Sequence, residues 1–177
     1  RSWDYPSASC MKPDNYGNVW IGNCSGLLMR INGTTLQTDI VDLGIDVRLY
    51  TFVGGIDFLP SGNIIAAAFS EGMYEIDRNS LSVKKIDIRK DDWEQCITRS
   101  VFIPSSLKTD RNGDVWIGTV ANGLLKYETG SGTLRPVPGT SCNDICSIEE
   151  DLQGHLWVST QFGLCEYDHT VGKFINW

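Results

Sequence analysis

Three sets of side chains in this sequence have the types and spacing that chemistry needs. Carboxylates crowd together at Asp91-Asp92-Trp93-Glu94 and again at Glu149-Glu150-Asp151. Two carboxylates facing each other across a sugar would cleave a glycosidic bond. Here they are chain neighbours. The first cluster lies in a polar stretch between repeats and reads as a solvated loop, and in the second Asp151 belongs to a turn. His155 and His169 stand with Cys10, Cys24, Cys96, Cys142, Cys146 and Cys165, but no C-x-x-C pair is present. Neither a metal nor another cofactor is expected from them. G-x-S-x-G, the phosphate loop and H-E-x-x-H are all missing, so the chain reads as a non-enzyme. The third set suits binding: Arg48, Tyr50, Trp93, Arg99 and Asn143. Aromatic faces take the C–H surface of a sugar ring, and Arg or Asn bonds its hydroxyls. Tyr50 and Trp93 also have a plainer reading, as covers for the edge of a sheet.

The elements that position these residues follow from a repeat. DRNGDVWIGTVANGLLKYE begins at Asp110, and DLQGHLWVSTQFGLCEYD begins at Asp151. The same register is met at Gly17 and, in a worn copy, at Gly62, so Gly17, Gly62, Gly113 and Gly154 mark four copies 41 to 51 residues apart. Trp20, Ile65, Trp116 and Trp157 stand three residues after each Gly, and Gly26, Gly72, Gly123 and Gly163 follow. VWIGT, IIAAAF and LWVST are short β-branched and aromatic runs. Each is preceded by one run and followed by two, which makes four strands per copy. The Asp-x-x-Gly turn lets the Asp carboxylate accept the turn's own amides, and Gly supplies positive φ. The runs are apolar nearly throughout, as strands buried on both faces are. Only DDWEQCI competes as a helix.

The expected fold is therefore all-β: four four-stranded antiparallel β-propeller blades, at about 1–40, 41–88, 89–138 and 139–177, in one region spanning 1–177. Trp20, Trp116 and Trp157 are expected to wedge between blades. Binding is expected on the interblade connections, roughly 41–54, 87–104 and 138–145, because loops on a rigid scaffold carry function. An open array of four blades leaves two apolar faces bare, so self-association as a homodimer is expected.

Composition narrows the partners. The 177 residues can bury a core. Net charge is −7 with no basic stripe, which argues against nucleic acid. No 18-residue apolar run is present. The chain starts at Arg1 and shows no signal peptide, as an excised piece or a mature product would. Cys24 and Cys165 read as small buried hydrophobes, whereas Cys96, Cys142 and Cys146 sit in or near connections where a disulfide is open. Asn23-Cys-Ser and Asn32-Gly-Thr are sequons.

The pattern D-x-x-G-x-(V/L)-W-(I/V)-(G/S)-T followed by G-L-x-x-Y-(D/E) resembles the regulator-propeller repeat. The third and fourth copies match at almost every position. The first has Asn23 for Thr and Arg30 for Tyr; the second has Leu59 for Asp and Ile65 for Trp. The sialidase Asp-box has a shorter Asp-to-Gly step, and WD repeats close on a Trp-Asp pair missing here. Antibiotic-lyase propellers share the G-x-x-W turn and usually lack the G-L-x-x-Y tail. The resemblance implies a segment of a larger periplasmic sensor propeller of a two-component or hybrid two-component system. Such a segment is expected to sense a small molecule, a saccharide, in a membrane-anchored parent whose histidine kinase lies outside this chain. A protein-interaction scaffold and a lyase-type propeller are the alternatives.

Overall fold

A computed structural model of the protein describes residues 7–46, 50–98, 101–169 and 171–177. Among them are four four-stranded sheets, each a simple antiparallel meander. The first holds β1 (Ala8–Pro13), β2 (Asn18–Asn23), β3 (Leu27–Asn32) and β4 (Thr38–Asp42). The second holds β5 (Val53–Phe58), β6 (Ile64–Ala68), β7 (Gly72–Ile76) and β8 (Val83–Lys85). The third holds β9 (Pro104–Thr109), β10 (Val115–Thr119), β11 (Leu124–Glu128) and β12 (Thr133–Val137). The fourth holds β13 (Ile145–Glu150), β14 (Leu156–Thr160), β15 (Gly163–Asp168) and β16 (Lys173–Asn176). The all-β blade architecture expected from the repeat is present.

The chain divides into two compact units, Arg1–Ile86 and Asp87–Trp177, with two blades in each. In the first unit, Trp20, Leu28 and Val41 of one blade pack on Ile56, Ile64, Ala66, Tyr74 and Ile76 of the next. In the second, Trp116, Leu124 and Val137 pack on Ile148, Leu156, Val158 and Cys165. Strands β6 and β10 are buried at every position, as two-faced strands must be.

The first strand of each blade slips register at its start, passing over Ser9, Gly54, Ser105 or Cys146. A bulge re-aims the residue it frees. Here it turns Ser9 Oγ to donate to the Val53 carbonyl and Ser105 Oγ to donate to the Ile145 carbonyl, both at 2.6 Å. Each bond ties a blade to its neighbour within a unit.

DDWEQCI is not a solvated loop: α1 covers Lys90–Cys96. Asp92 accepts from Arg89 at 2.9 Å and from the Leu134 amide at 3.3 Å, which fastens the helix to β12. All six cysteines are free thiols. Cys165 is a buried hydrophobe as expected, but Cys24 is exposed, at the turn after β2. Burial pushes the Cys10 and Cys96 thiols up to about 11. Both sequon asparagines are engaged: Asn23 Oδ1 accepts the Ser25 and Leu27 amides, and Asn32 Oδ1 accepts those of Thr34 and Thr35.

Candidate functional site

The repeat's Asp builds the rim of the first candidate site and the turn beside the second. Asp14 Oδ1 accepts the amides of Tyr16 and Asn18, at 2.9 and 2.8 Å. Its Oδ2 accepts the Trp20 indole N–H at 3.0 Å. Asp110 and Asp151 do the same with Trp116 and Trp157, at 2.9 and 3.0 Å. The amide bonds follow from the Asp-x-x-Gly turn. The indole bond was not read from the sequence, although a buried indole N–H needs an acceptor. It fits the worn copy, where Leu59 stands at the Asp position and Ile65 at the Trp position, because a buried Trp without its Asp would hold an unsatisfied donor.

In the first unit this rim opens into a cleft of about 220 Å³, lined by Asp14, Tyr16, Asn18, Trp20, Arg30, Arg78 and Asn79. Tyr16 comes from the β1–β2 turn, and Arg78 from the β7–β8 turn of the next blade. Arg30 is a fixed wall. Its Nε and Nη2 donate to Asp39 at 3.0 and 2.8 Å, and its Nη1 donates to the Arg78 carbonyl at 2.8 Å. The Arg78 guanidinium lies 4.0 Å over the Tyr16 ring and is in no ion pair with a described residue. Tyr16 is 59% exposed. Burial raises the Asp14 carboxyl, but bonds from the Asn18 side chain and amide, Trp20 and Tyr16 outweigh it, and the group is held below its ordinary value. The cleft is smaller than the roughly 300–1,000 Å³ of drug-sized sites. It suits one small polar ring.

In the second unit, a cleft of about 380 Å³ is lined by Gln153, Gly154, His155, Glu166, Tyr167, Asp168, His169 and Ile175. His155 Nδ1 lies 3.2 Å from Asp151 Oδ2 and 3.6 Å from Glu166 Oε1. The Trp157 bond, with the His155 and Gln153 amides and the His155 ring, holds the Asp151 carboxyl down to about 2. An imidazole steadied by carboxylates can accept a proton from a substrate, so this cleft carries a candidate general base. No group of metal-binding side chains forms among the described residues.

The residues predicted from sequence stand elsewhere. Arg48 and Arg99 lie outside the described residues. Tyr50 is exposed, edge-on to Phe69 at 5.6 Å, at the end of the sheets opposite the first cleft. Trp93, on α1, packs 5.2 Å from Phe102. Asn143 is exposed, and its carbonyl accepts the Gly123 amide. None of the three lines either cleft. The available signal was a large side chain inside a tight turn, Tyr16 before Gly17 and Arg78 after Asp77.

No family model matches this sequence, and no curated protein does. Its fold is found among solved structures. Streptogramin B lyase superposes with a TM-score of 0.75 at 13% identity, over 100% of this chain and 57% of that one. The virginiamycin B lyase of Staphylococcus aureus gives 0.73 at 14%, over 98% of this chain and 57% of that one. The extracellular domain of a protein described as a one component system of B. thetaiotaomicron gives 0.50 at 17%, over 100% and 30%. This chain thus spans little more than half of either lyase and under a third of that extracellular domain. The lyases correct one expectation. Enzymes are built on this fold, so the reading of the chain as a non-enzyme does not stand. What the comparisons share with this chain is the all-β propeller fold, in both lyases and the extracellular domain of a one component system.

Proposed function

We propose that this chain is the ligand-binding part of an extracytoplasmic sensor propeller, that its ligand is a saccharide, and that the signal passes to a cytoplasmic kinase outside this chain. One observation carries the reading: in the first cleft an exposed tyrosine lies under an arginine that forms no ion pair with a described residue, beside Asn18 and Asn79. A sugar ring would lie along Tyr16 and take its hydroxyl bonds from Arg78 and the asparagines. The site differs from the interblade loops favoured by the sequence. Titration calorimetry against a panel of mono- and oligosaccharides tests it. At least one ligand should bind, and Tyr16→Ala and Arg78→Ala should each weaken it about tenfold or more, the loss of one good contact. Absence of binding across the panel would turn the reading to the interaction scaffold.

A second reading is an enzyme of lyase type, favoured by His155 between Asp151 and Glu166. Incubation with a streptogramin B, followed by mass spectrometry, should then show its conversion, abolished by His155→Ala. Unchanged substrate would remove this reading.

A further inference from the structure

The joint that forms the first cleft has a counterpart inside the second unit, and the two treat charge differently. In the second unit the Trp116 ring meets the Tyr167 ring edge-on at 5.0 Å. Lys126 stands 2.9 Å from Asp114. Arg111 lies over the turn glycine Gly154, and its Nε donates to Glu150 Oε1 at 2.8 Å. The joint is filled, and both cations have a carboxylate. In the first unit Ile76 holds the register position of Tyr167, with a shorter side chain. Phe58 and Leu59 hold the positions of Glu150 and Asp151. An arginine again lies over the turn glycine: a Cβ on Gly62 would stand 3.1 Å from both Arg78 Cδ and Tyr16 Oη. This arginine forms no ion pair with a described residue.

The carboxylates around Arg78 are engaged by other donors. Asp77 Oδ1 accepts the Asn79 and Ser80 amides and the Ser80 hydroxyl, at 3.0, 2.8 and 2.9 Å. Glu75 Oε1 accepts Asn63 Nδ2 at 2.8 Å. In the cleft, each oxygen of Asp14 has two donors: Oδ1 the Tyr16 and Asn18 amides, Oδ2 the Asn18 side chain and the Trp20 indole. Asp39 belongs to Arg30. The main chain of Arg78 is held at both ends, since its amide donates to Asn63 Oδ1 at 3.4 Å and its carbonyl accepts from Arg30. Its guanidinium spends its flat face on the Tyr16 ring. Stacking of that kind leaves the in-plane N–H groups able to donate.

We infer that the saccharide of the first cleft is acidic: a hexuronate residue whose carboxylate is held by Arg78 and whose ring lies beside Tyr16, an assignment that rests on the saccharide reading above and narrows it. A guanidinium fork matches a planar carboxylate with two parallel bonds. Charge selects a monoanion. Arg78 offers one positive charge, and the Asp14 carboxylate in the same cleft would repel a phosphate dianion. Asn79, exposed in the adjoining turn, is left for the ring hydroxyls.

Titration calorimetry of this chain with matched ligands tests it. The ligands are trisaccharides of galacturonic, glucuronic and mannuronic acid, the methyl esters of each, the neutral galactose, glucose and mannose trisaccharides, and the neutral series carrying 6-sulfates. At least one uronate should bind about tenfold or more tightly than its methyl ester and its neutral counterpart, the difference one good charged contact makes. Arg78→Gln should bring the acid down to the level of its ester and leave the ester's affinity unchanged. Arg78→Lys, which keeps the charge without the fork, should recover part of the preference. Esters or neutral trisaccharides that bind as tightly as the acids would overturn this inference and leave the saccharide reading standing. So would 6-sulfates that bind more tightly than the acids, or a preference for acids that survives Arg78→Gln. Absence of binding by every ligand would overturn both.

Discussion

At the residue scale, one carboxylate does three things. Asp110 Oδ1 accepts the Asn112 and Asp114 amides, and its Oδ2 accepts the Trp116 indole 2.9 Å away. The turn and the core residue are thereby a single unit, with Lys126 2.9 Å from Asp114 and its ammonium 4.9 Å from the Trp116 ring. Two substitutions separate the packing from the bond. Trp116→Ala should cost about 3–5 kcal/mol, since a fully buried aromatic leaves a cavity. Trp116→Phe keeps most of the volume but strips buried Asp110 Oδ2 of its hydrogen-bond donor, leaving it only the Lys126 ammonium 3.6 Å away, and should cost about 1–3 kcal/mol. Urea midpoints measure both; a Phe variant as stable as wild type would show that the indole bond contributes nothing net.

At the scale of the elements, the blades are spaced by glycine. A Cβ on Gly118 would lie 2.7 Å from Ile145 Cγ2 on the neighbouring strand, and one on Gly22 would lie 2.7 Å from Val53 Cβ. These contacts are to branched side chains held by their own strands, which have little room to give. Gly118→Ala should therefore destabilise by about 1–3 kcal/mol through overpacking. Gly130, in the β11–β12 turn, has nothing within 4 Å of an added Cβ. Gly130→Ala should stay within about 0.5 kcal/mol of wild type. Equal denaturation midpoints for the two variants would mean that blade spacing is not set at Gly118. The turn glycines serve differently: Gly17, Gly62, Gly113 and Gly154 have φ of 83, 84, 85 and 94°, where a side chain is strained.

At the scale of the whole molecule, acid should unfold the protein through its turns. The Asp151 carboxyl is held at about 2, chiefly by the Trp157 bond, and Asp14 and Asp77 are also held below the ordinary value. Groups depressed in the folded state stabilise it above the unfolded value, about 3.9 for Asp, and that stability is lost as pH falls through the folded value. The melting temperature should thus hold down to about pH 4 and then fall toward pH 2. Asp151→Asn should lower the plateau and flatten that slope, because one titrating turn is gone. A slope equal to wild type in this variant would show that the turn carboxylate is not coupled to folding.

Sequence alone determined the repeat, the four strands in each copy and the amide bonds of the Asp-x-x-Gly turn. All of these depend on residues a few positions apart, so local spacing is enough to specify them. The indole–carboxylate bond lies at the margin: Asp and Trp are six residues apart in all three intact copies, and the second copy, with Leu59 and Ile65, has neither. Tertiary structure decided the rest. Tyr16 meets Arg78 across 62 residues, and Ser9 reaches the Val53 carbonyl across 44, because neighbouring blades stack in register. No local period encodes such a meeting. That is why long, aromatic interblade connections looked like the site, while the first cleft forms at the opposite end of the sheets, where short turns of the two blades in the first unit converge.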